Sequence, residues 1–340
     1  MQKIKNPRKI LIVKPSSLGD VVHSLPFLNA LKERFPKAEV HWVIAKRLDG
    51  LLSGHPMIDK LWIIDKDNWK VVGRAWNTLK ELKEFFRNLR NERYDMVVDL
   101  QGLLRSGVIT MATRAPFRIG FKEAREGSRL FYTHKVEGGR DIHAVDRYLK
   151  IAAFLGCDIR NVCFPLPLSF NSSLITHHLS LSDDYAVIIP GARWVTKRWP
   201  AERFGELASR LPMEFLVVGG RSDIDISNRV VNSSKGNAIS LAGKTDIKEL
   251  IEIMRSARFV VGNDSGPMHI ATALKTRVFA IFGPTDPQKT GPYGRSHIVI
   301  KSNLECSPCF KKRRCKKHEC MDTITVDMVM EKIKETTGMP

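Results

Sequence analysis

Asp20 closes the run Pro15-Ser16-Ser17-Leu18-Gly19-Asp20, a turn of small residues directly after the apolar stretch KILIVK at 9–14. A carboxylate in that place has two uses. It can cap the helix that follows, or take a proton from a hydroxyl as a general base. In the second half, GARWVTKRWP carries Arg193, Lys197 and Arg198 just past another apolar run. Cations there could neutralise charge developing on a departing phosphate, although a basic loop can also be plain solvated surface. In Gly262-Asn263-Asp264-Ser265-Gly266-Pro267-Met268-His269, a strand gives way to small residues and then to the helical segment IATAL. Free backbone N–H groups at such a helix start suit a diphosphate, with Ser265 and His269 as added donors. Simple capping by Asp264 or Ser265 is the alternative, and the neighbouring turns GPTDP (283–287) and GPYG (291–294) favour a site.

Asp223 and Asp225 follow Gly219-Gly220 at a helix start, where one carboxylate could accept ribose hydroxyls or simply complement the helix dipole. The two-residue spacing of Asp65/Asp67 and Asp223/Asp225 is too common to argue for a catalytic metal. Neither GxGxxG nor GxxxxGK[ST] follows any of the strands, so the commonest nucleotide signatures are absent. Cys306, Cys309, Cys315 and Cys320 place four thiols within fifteen residues, with His318 among them. Four thiolates could hold a structural Zn²⁺, but the spacing is not that of a zinc ribbon, and free or redox-active thiols stay open. Cys157 and Cys163 read as buried and inert.

The elements that must carry these residues repeat. A strand at 9–14, a helix from Asp20 to Pro36 and a strand at 40–45 form one β-α-β unit, whose natural product is a parallel sheet. Trp76, Leu79, Leu82, Phe86 and Leu89 mark an amphipathic helix, read as packing on that sheet. YDMVVDLQG is a further strand running into a glycine turn. The plan then recurs, with strands at 187–189 and 215–218, a helix through Phe204, Leu207 and Leu211, and RFVVGNDSG echoing YDMVVDLQG. This predicts an α/β chain of two Rossmann-like domains, 1–168 and 183–325, joined by a polar stretch and closed by a helix in 326–340. Ligands of such sheets bind beyond the carboxyl ends of the strands. Ser17, Gly19, Gln101 and Arg105 occupy loops of that kind in the first half.

The chain has 340 residues, 43% of them hydrophobic, with 55 Lys and Arg against 36 Asp and Glu, a net charge of +19. That composition excludes a disordered chain, and no apolar run approaches the roughly 20 residues of a membrane span. The apolar run at 10–13 is too short for a signal peptide, so a cytoplasmic location is expected. The charge calls for an anionic partner. Residues 1–170 carry +12 of it, and the stretch 306–320 alone carries +5.

Together, KPSSLGDVVHSLP, YDMVVDLQGLLRS, IGFKEAREGSRLFY, HAVDRYL, PGARWVTKRWP, GNDSGPMHIATAL, FGPTDP and CSPCF resemble the bacterial lipopolysaccharide heptosyltransferases of glycosyltransferase family 9. The resemblance runs over nearly the whole chain. It implies a GT-B fold, two Rossmann-like domains with the cleft between them, and an inverting, metal-independent transfer with no cofactor. The donor would be ADP-L-glycero-D-manno-heptose and the acceptor Kdo-lipid A, at the cytoplasmic face of the inner membrane. Asp20 matches the family's proposed base and Lys197 its phosphate-contacting lysine. Asp264, Ser265, Gly266 and His269 match the donor segment, Thr245 falls near the adenosine contact, and Arg193 joins the diphosphate clamp. Either Asp223 or Asp225 would meet the ribose. Arg125 matches an arginine associated with the anionic acceptor, alongside Ser17, Gly19, Gln101, Arg105 and Lys122. AREG and HAVDRYL point to heptosyltransferase I, whereas CSPCF also occurs in heptosyltransferase II-like members.

A nucleic-acid-binding protein with a Cys/His insert is the rival from another class. The sequence contains no basic recognition helix and no RNP-type aromatic motif, while site-like loops recur at strand ends.

Overall fold

The computed structural model describes residues 6–65, 75–139, 141–167, 184–310, 315 and 317–339. The chain divides into two compact units, Met1–Pro167 and Leu168–Pro340. Asp67, the side chains of Trp76 and Leu79, and most of the polar join lie outside the described residues.

Unit 1 contains six strands: β1 (Lys9–Val13), β2 (Glu39–Ala45), β3 (Lys60–Ile64), β4 (Met96–Asp99), β5 (Phe117–Phe121) and β6 (His134–Val136). Every pairing is parallel, and the order is β3-β2-β1-β4-β5-β6. Unit 2 repeats this with β7 (Tyr185–Ile189), β8 (Glu214–Val217), β9 (Ala238–Ser240), β10 (Val260–Asn263), β11 (Val278–Phe282) and β12 (Ile298–Lys301). Its order, β12-β11-β10-β7-β8-β9, is the same succession read from the other edge. Both are the doubly wound Rossmann order, whose direction reverses at the central pair, β1/β4 in unit 1 and β7/β10 in unit 2. The strands β3, β5, β6, β9, β11 and β12 complete the two sheets beyond those expected from the sequence.

Parallel strands covered on both faces need continuous apolar runs rather than alternation. Ile10–Val13 and Val187–Ile189 supply them and are essentially inaccessible to water. The helices follow their apolar spacing. α1 (Leu18–His23) and α2 (Leu25–Arg34) share one segment, which ends before Pro36 because proline cannot continue the hydrogen-bond ladder. α3 (Ala75–Asn91) buries Leu89 and packs Phe85 and Phe86 against the cluster of Leu11, Val43 and Val97, so this part of its apolar stripe meets the sheet. In unit 2, Trp199 meets Phe204 edge to face at 4.8 Å between ring centres, and Phe259 meets Phe279 at 5.4 Å. The closing helix at Val326–Thr337 buries Val326, Val329 and Ile333 in the same core.

At the amino ends of the unit 1 strands, Glu92 accepts hydrogen bonds from Lys9 Nζ at 2.7 Å and Lys60 Nζ at 2.5 Å. Burial pushes the Glu92 carboxyl up, but the two lysines outweigh it and hold its pKa at about 2. The folded pKa lies below the unfolded value, so this stabilisation is complete above a pH of about 4.5. It is lost as the pH falls towards about 2. Glu92→Gln should therefore melt at a lower temperature than the wild type at pH 7, with the difference closing through that acidic window. A difference independent of pH in thermal unfolding would contradict this.

Candidate active site

The register at the centre of unit 1 sets Val13 opposite Asp99. The next residues, Lys14 and Leu100, therefore leave the sheet side by side, and Lys14 Nζ donates to the Leu100 carbonyl at 3.4 Å. Asp99 is fully buried beneath the following turn, where it accepts the backbone N–H groups of Gln101 at 2.8 Å and Gly102 at 3.0 Å. The Tyr132 hydroxyl donates to it at 2.6 Å. Gly102 takes a φ of +65°, a left-handed conformation that favours glycine, so the chain can fold back over the Asp99 carboxylate. Burial holds the Asp99 carboxyl above its ordinary range despite these donors.

Asp20 takes part in capping α1 as the third-position member of a capping box. Ser17 is the N-cap and Asp20 stands three residues in, accepting the Ser17 N–H at 3.0 Å and the Ser17 hydroxyl at 2.6 Å. Both bonds go to Oδ2, which leaves Oδ1 without a hydrogen bond among the described residues. Burial opposes ionisation of Asp20, but the Lys14 charge and then the Ser17 donors overcome it, so the carboxyl sits below its usual range. This carboxylate opens into a cavity of about 470 Å³ whose walls include Lys14, Gln101, Glu123, Arg125, Arg147 and Tyr148. Two of its polar atoms, Gln101 Oε1 and Arg147 Nε, are buried with no partner. With three cations against two carboxylates, the pocket favours an anionic group, to which Arg147 Nε can donate, while Gln101 Oε1 can accept from a hydroxyl.

In unit 2 the register sets Gly262 opposite Ile189, so Asn263 emerges beside Pro190. Its buried amide donates to the Pro190 carbonyl at 2.8 Å and accepts the Trp199 N–H at 3.0 Å. Trp199 is anchored in turn by its indole N–H to the Ile324 carbonyl at 2.8 Å. The intervening loop is thereby pinned, and Lys197 Nζ lies 2.5 Å from Asp264 Oδ2 and 4.5 Å over the Trp194 ring. The Thr285 hydroxyl, from the GPTDP turn, donates to the same oxygen at 2.7 Å. Ser265 is the N-cap of the helix at Gly266–Ala273, yet its hydroxyl makes no capping bond and is buried without a partner. His269 is buried one turn into that helix. An ammonium, an unspent hydroxyl and a helix start thus converge beyond the carboxyl end of β10, the arrangement an anionic phosphate requires.

Asp223 and Asp225 separate clearly. Asp223 packs so closely on the β7 loop that a Cβ at Gly191 would come within 2.7 Å of its carboxyl carbon. Asp223 also accepts the Gly220 N–H at 3.1 Å, whereas Asp225 is exposed on the next helix. Thr245 lies in the turn after β9, and Gly243 of that turn bonds back to the Gly219 carbonyl at 2.9 Å. Arg193 is exposed in the Lys197 loop. On the acceptor side, Asp20, Gln101 and Arg125 share the cavity, with Ser17 bonded to Asp20 and Gly19 buried in α1. Arg105 lines a neighbouring, largely apolar cavity instead, and Lys122 is exposed, 3.7 Å from Glu137.

Lys14, Asp99, Arg147, Tyr148, Asn263 and Thr285 were not singled out from sequence. A lysine directly ending a buried strand was the available signal for Lys14, and HAVDRYL held Arg147. Cys157 is buried as expected, but Cys163 is exposed in the tail that follows the last helix of unit 1. The four clustered cysteines are free thiols, and among the described residues no three of them bring their sulfurs within 4.8 Å of one another. Cys320 is buried against Gly283, and burial followed by its three neighbours pushes its thiol up to about 11, the opposite of a reactive thiolate. Glu39, His41 and Glu92 do group closely enough for a metal, but the Lys9 and Lys60 ammonium groups already occupy the carboxylates.

Residues 82–319 match the family model "Glycosyltransferase family 9 (heptosyltransferase)". The lipopolysaccharide heptosyltransferase 1 of Pseudomonas aeruginosa is 32% identical, over 89% of this chain and 86% of that protein. This chain belongs to glycosyltransferase family 9. It is a glycosyltransferase of the GT-B fold. A heptosyltransferase 2 from Salmonella typhimurium is also similar, at 26% identity over 86% of this chain and 88% of that one. Among solved structures, a family 9 member from Veillonella parvula superposes with a TM-score of 0.82, 25% identity and 97% coverage of both chains. The E. coli heptosyltransferase WaaC with ADP-2-deoxy-2-fluoro heptose superposes with a TM-score of 0.77, at 24% identity over 96% of this chain and 99% of that one.

Because the Ser265 hydroxyl does no capping, Ser265→Ala should leave the melting temperature unchanged, where losing a working cap costs about 0.5–2 kcal/mol. If this helix start receives a phosphate, the affinity for a nucleoside diphosphate should fall by about tenfold in titration calorimetry, the scale of one hydrogen bond to a charged group. Unchanged affinity would remove Ser265 from the anion site.

Proposed function

We propose that this chain transfers L-glycero-D-manno-heptose from ADP-heptose to the Kdo-lipid A inner core of lipopolysaccharide, adding the first heptose with inversion. One observation carries the reading: a carboxylate with a free oxygen, Asp20, opens into a cation-lined pocket at the strand-order reversal of unit 1. Asp20 Oδ1 takes the proton of the acceptor hydroxyl as its oxygen bonds to the anomeric carbon. The bond from that carbon to the β-phosphate oxygen breaks, and its electron pair leaves on ADP. The Lys197 ammonium, the Ser265 hydroxyl and the backbone at Gly266 receive the new charge, with Arg193 at the loop surface. Asp264 acts through Lys197, which it holds in place, and is itself held by the Thr285 hydroxyl. Asp223 is the better placed of the two carboxylates for the ribose, and Thr245 lies on the adenosine side. His269 supports the helix start from within.

On the acceptor side, Arg147 and Arg125 suit a sugar carboxylate, and Gln101 Oε1 suits a hydroxyl. The chemistry needs no metal, and the Cys306–Cys320 stretch takes no part in it. Among the described residues no helix is long and apolar enough to cross a membrane, so access to a lipid-linked acceptor would be peripheral, from the cytoplasmic face. Relatives bearing the names heptosyltransferase 1 and 2 both match, so the acceptor is the point to test.

A transfer assay with ADP-heptose should give product on Kdo-lipid A and none on the already heptosylated core. Product only on the heptosylated core would assign the second transfer instead, and none on either would refute the reading. General-base catalysis is worth about 10²–10⁴-fold, so Asp20→Ala should lose at least that much turnover while still binding ADP. Wild-type turnover in this variant would exclude Asp20 as the base. Lys197→Ala should raise the donor KM and lower kcat together, and unchanged kinetics would exclude the clamp.

A further inference from the structure

Lys14 is 3% exposed, at the end of a strand whose other interior positions are all aliphatic. Its ammonium reaches the Leu100 carbonyl at 3.4 Å and lies 5.2 Å from the centre of the Tyr148 ring, with no carboxylate within ion-pair distance among the described residues. Burying a charge without contact to its opposite is costly, and an apolar residue would end this strand without that cost. The charge does, however, form the wall of the same 470 Å³ cavity as Asp20. Asp20 likewise has no cation in contact, since its bonds are to Ser17 alone.

This separation suits a base. A cation in contact would compete with the attacking hydroxyl for Oδ1, whereas one further off in a low-dielectric pocket stabilises the ionised form and leaves the oxygen free. The need grows when an acceptor fills the cavity, because expelling water favours the neutral carboxyl. The other groups around Asp20 are less suited. His23 on α1 stacks against His143 at 5.2 Å, Arg147 lies over the Phe121 ring at 4.5 Å, and Arg125 is exposed. Asp99 and Glu123 are themselves carboxylates, and Tyr148 is neutral. Burial opposes the Asp20 charge, and the largest influence favouring it is that of Lys14.

We propose that Lys14 is a positioning residue for catalysis, whose buried charge keeps Asp20 in its proton-accepting form while the acceptor fills the pocket. The inference rests on Asp20 being the base. It also predicts that proton release from Asp20 after each turnover is favoured by the same charge.

The test is the pH profile of kcat at saturating donor and acceptor for the wild type, Lys14→Met and Lys14→Arg, with folding checked by thermal melting. An opposite charge within about 4–6 Å typically moves a carboxyl by about 1–3 pH units. Lys14→Met should therefore shift the acidic limb of the profile upward by that amount, with kcat falling more than the acceptor KM changes. Lys14→Arg should keep the wild-type limb. Should Lys14→Met not fold, Lys14→Gln retains a donor for Leu100 and gives the same readout. An unmoved limb in the neutral variant overturns the proposal, as does a raised acceptor KM with kcat and limb unchanged, which would make Lys14 an acceptor-binding group. Asp20→Asn separates the two ideas. If it retains turnover, the base assignment itself fails. If it is inactive while the Lys14→Met limb stays put, only the role of Lys14 fails.

Discussion

Everything at the two sites depends on the pairing of the central strands where the sheet order reverses. Val13 lies opposite Asp99 in unit 1, and Ile189 opposite Gly262 in unit 2. On either side of such a pair the connections leave in opposite directions, so the carboxyl ends of those strands are left uncovered. Side-chain direction alternates along a strand, so a slip of one residue would turn Asp99 and Asn263 out of their buried positions. The registers therefore fix more than the core. They decide that Lys14 meets Leu100, and that Asn263 reaches both Pro190 and Trp199.

The two units answer the same topology with opposite electrostatics. Unit 1 sets one carboxylate with an open oxygen among cations, which suits proton removal next to an anionic acceptor. Unit 2 sets one lysine against a carboxylate beside a helix start with an unspent hydroxyl, which suits a diphosphate. The net charge of +19 is too coarse to separate these demands. At the sites themselves a few cations matter, and most of the remaining lysines and arginines lie on exposed surface.

The repeated α/β plan was legible because its central strands are unbroken aliphatic runs and its helices keep their spacing. Asp20, Lys197 and Ser265 were legible because they stand in loops after those runs, where small residues leave room for chemistry. Asn263 and Thr285 were not. Their importance comes from hydrogen bonds to residues 73 and 21 positions away in the chain, which no local pattern encodes. The same limit kept Asp223 and Asp225 equivalent in sequence, although only Asp223 packs against Gly191. The cysteine cluster was legible as a cluster, with neither zinc nor free thiols decided by its spacing; that Cys320 is drawn into the core beneath Gly283 was not legible.

The central claim is a division of labour, with the leaving diphosphate held by unit 2 and the base and acceptor by unit 1. A crystal structure of the protein with ADP tests it most directly. The β-phosphate should lie within hydrogen-bonding distance of Lys197 Nζ, the Ser265 hydroxyl and the Gly266 N–H, with the ribose at Asp223. A diphosphate seated instead on Arg125 and Arg147 beside Asp20 would contradict the account.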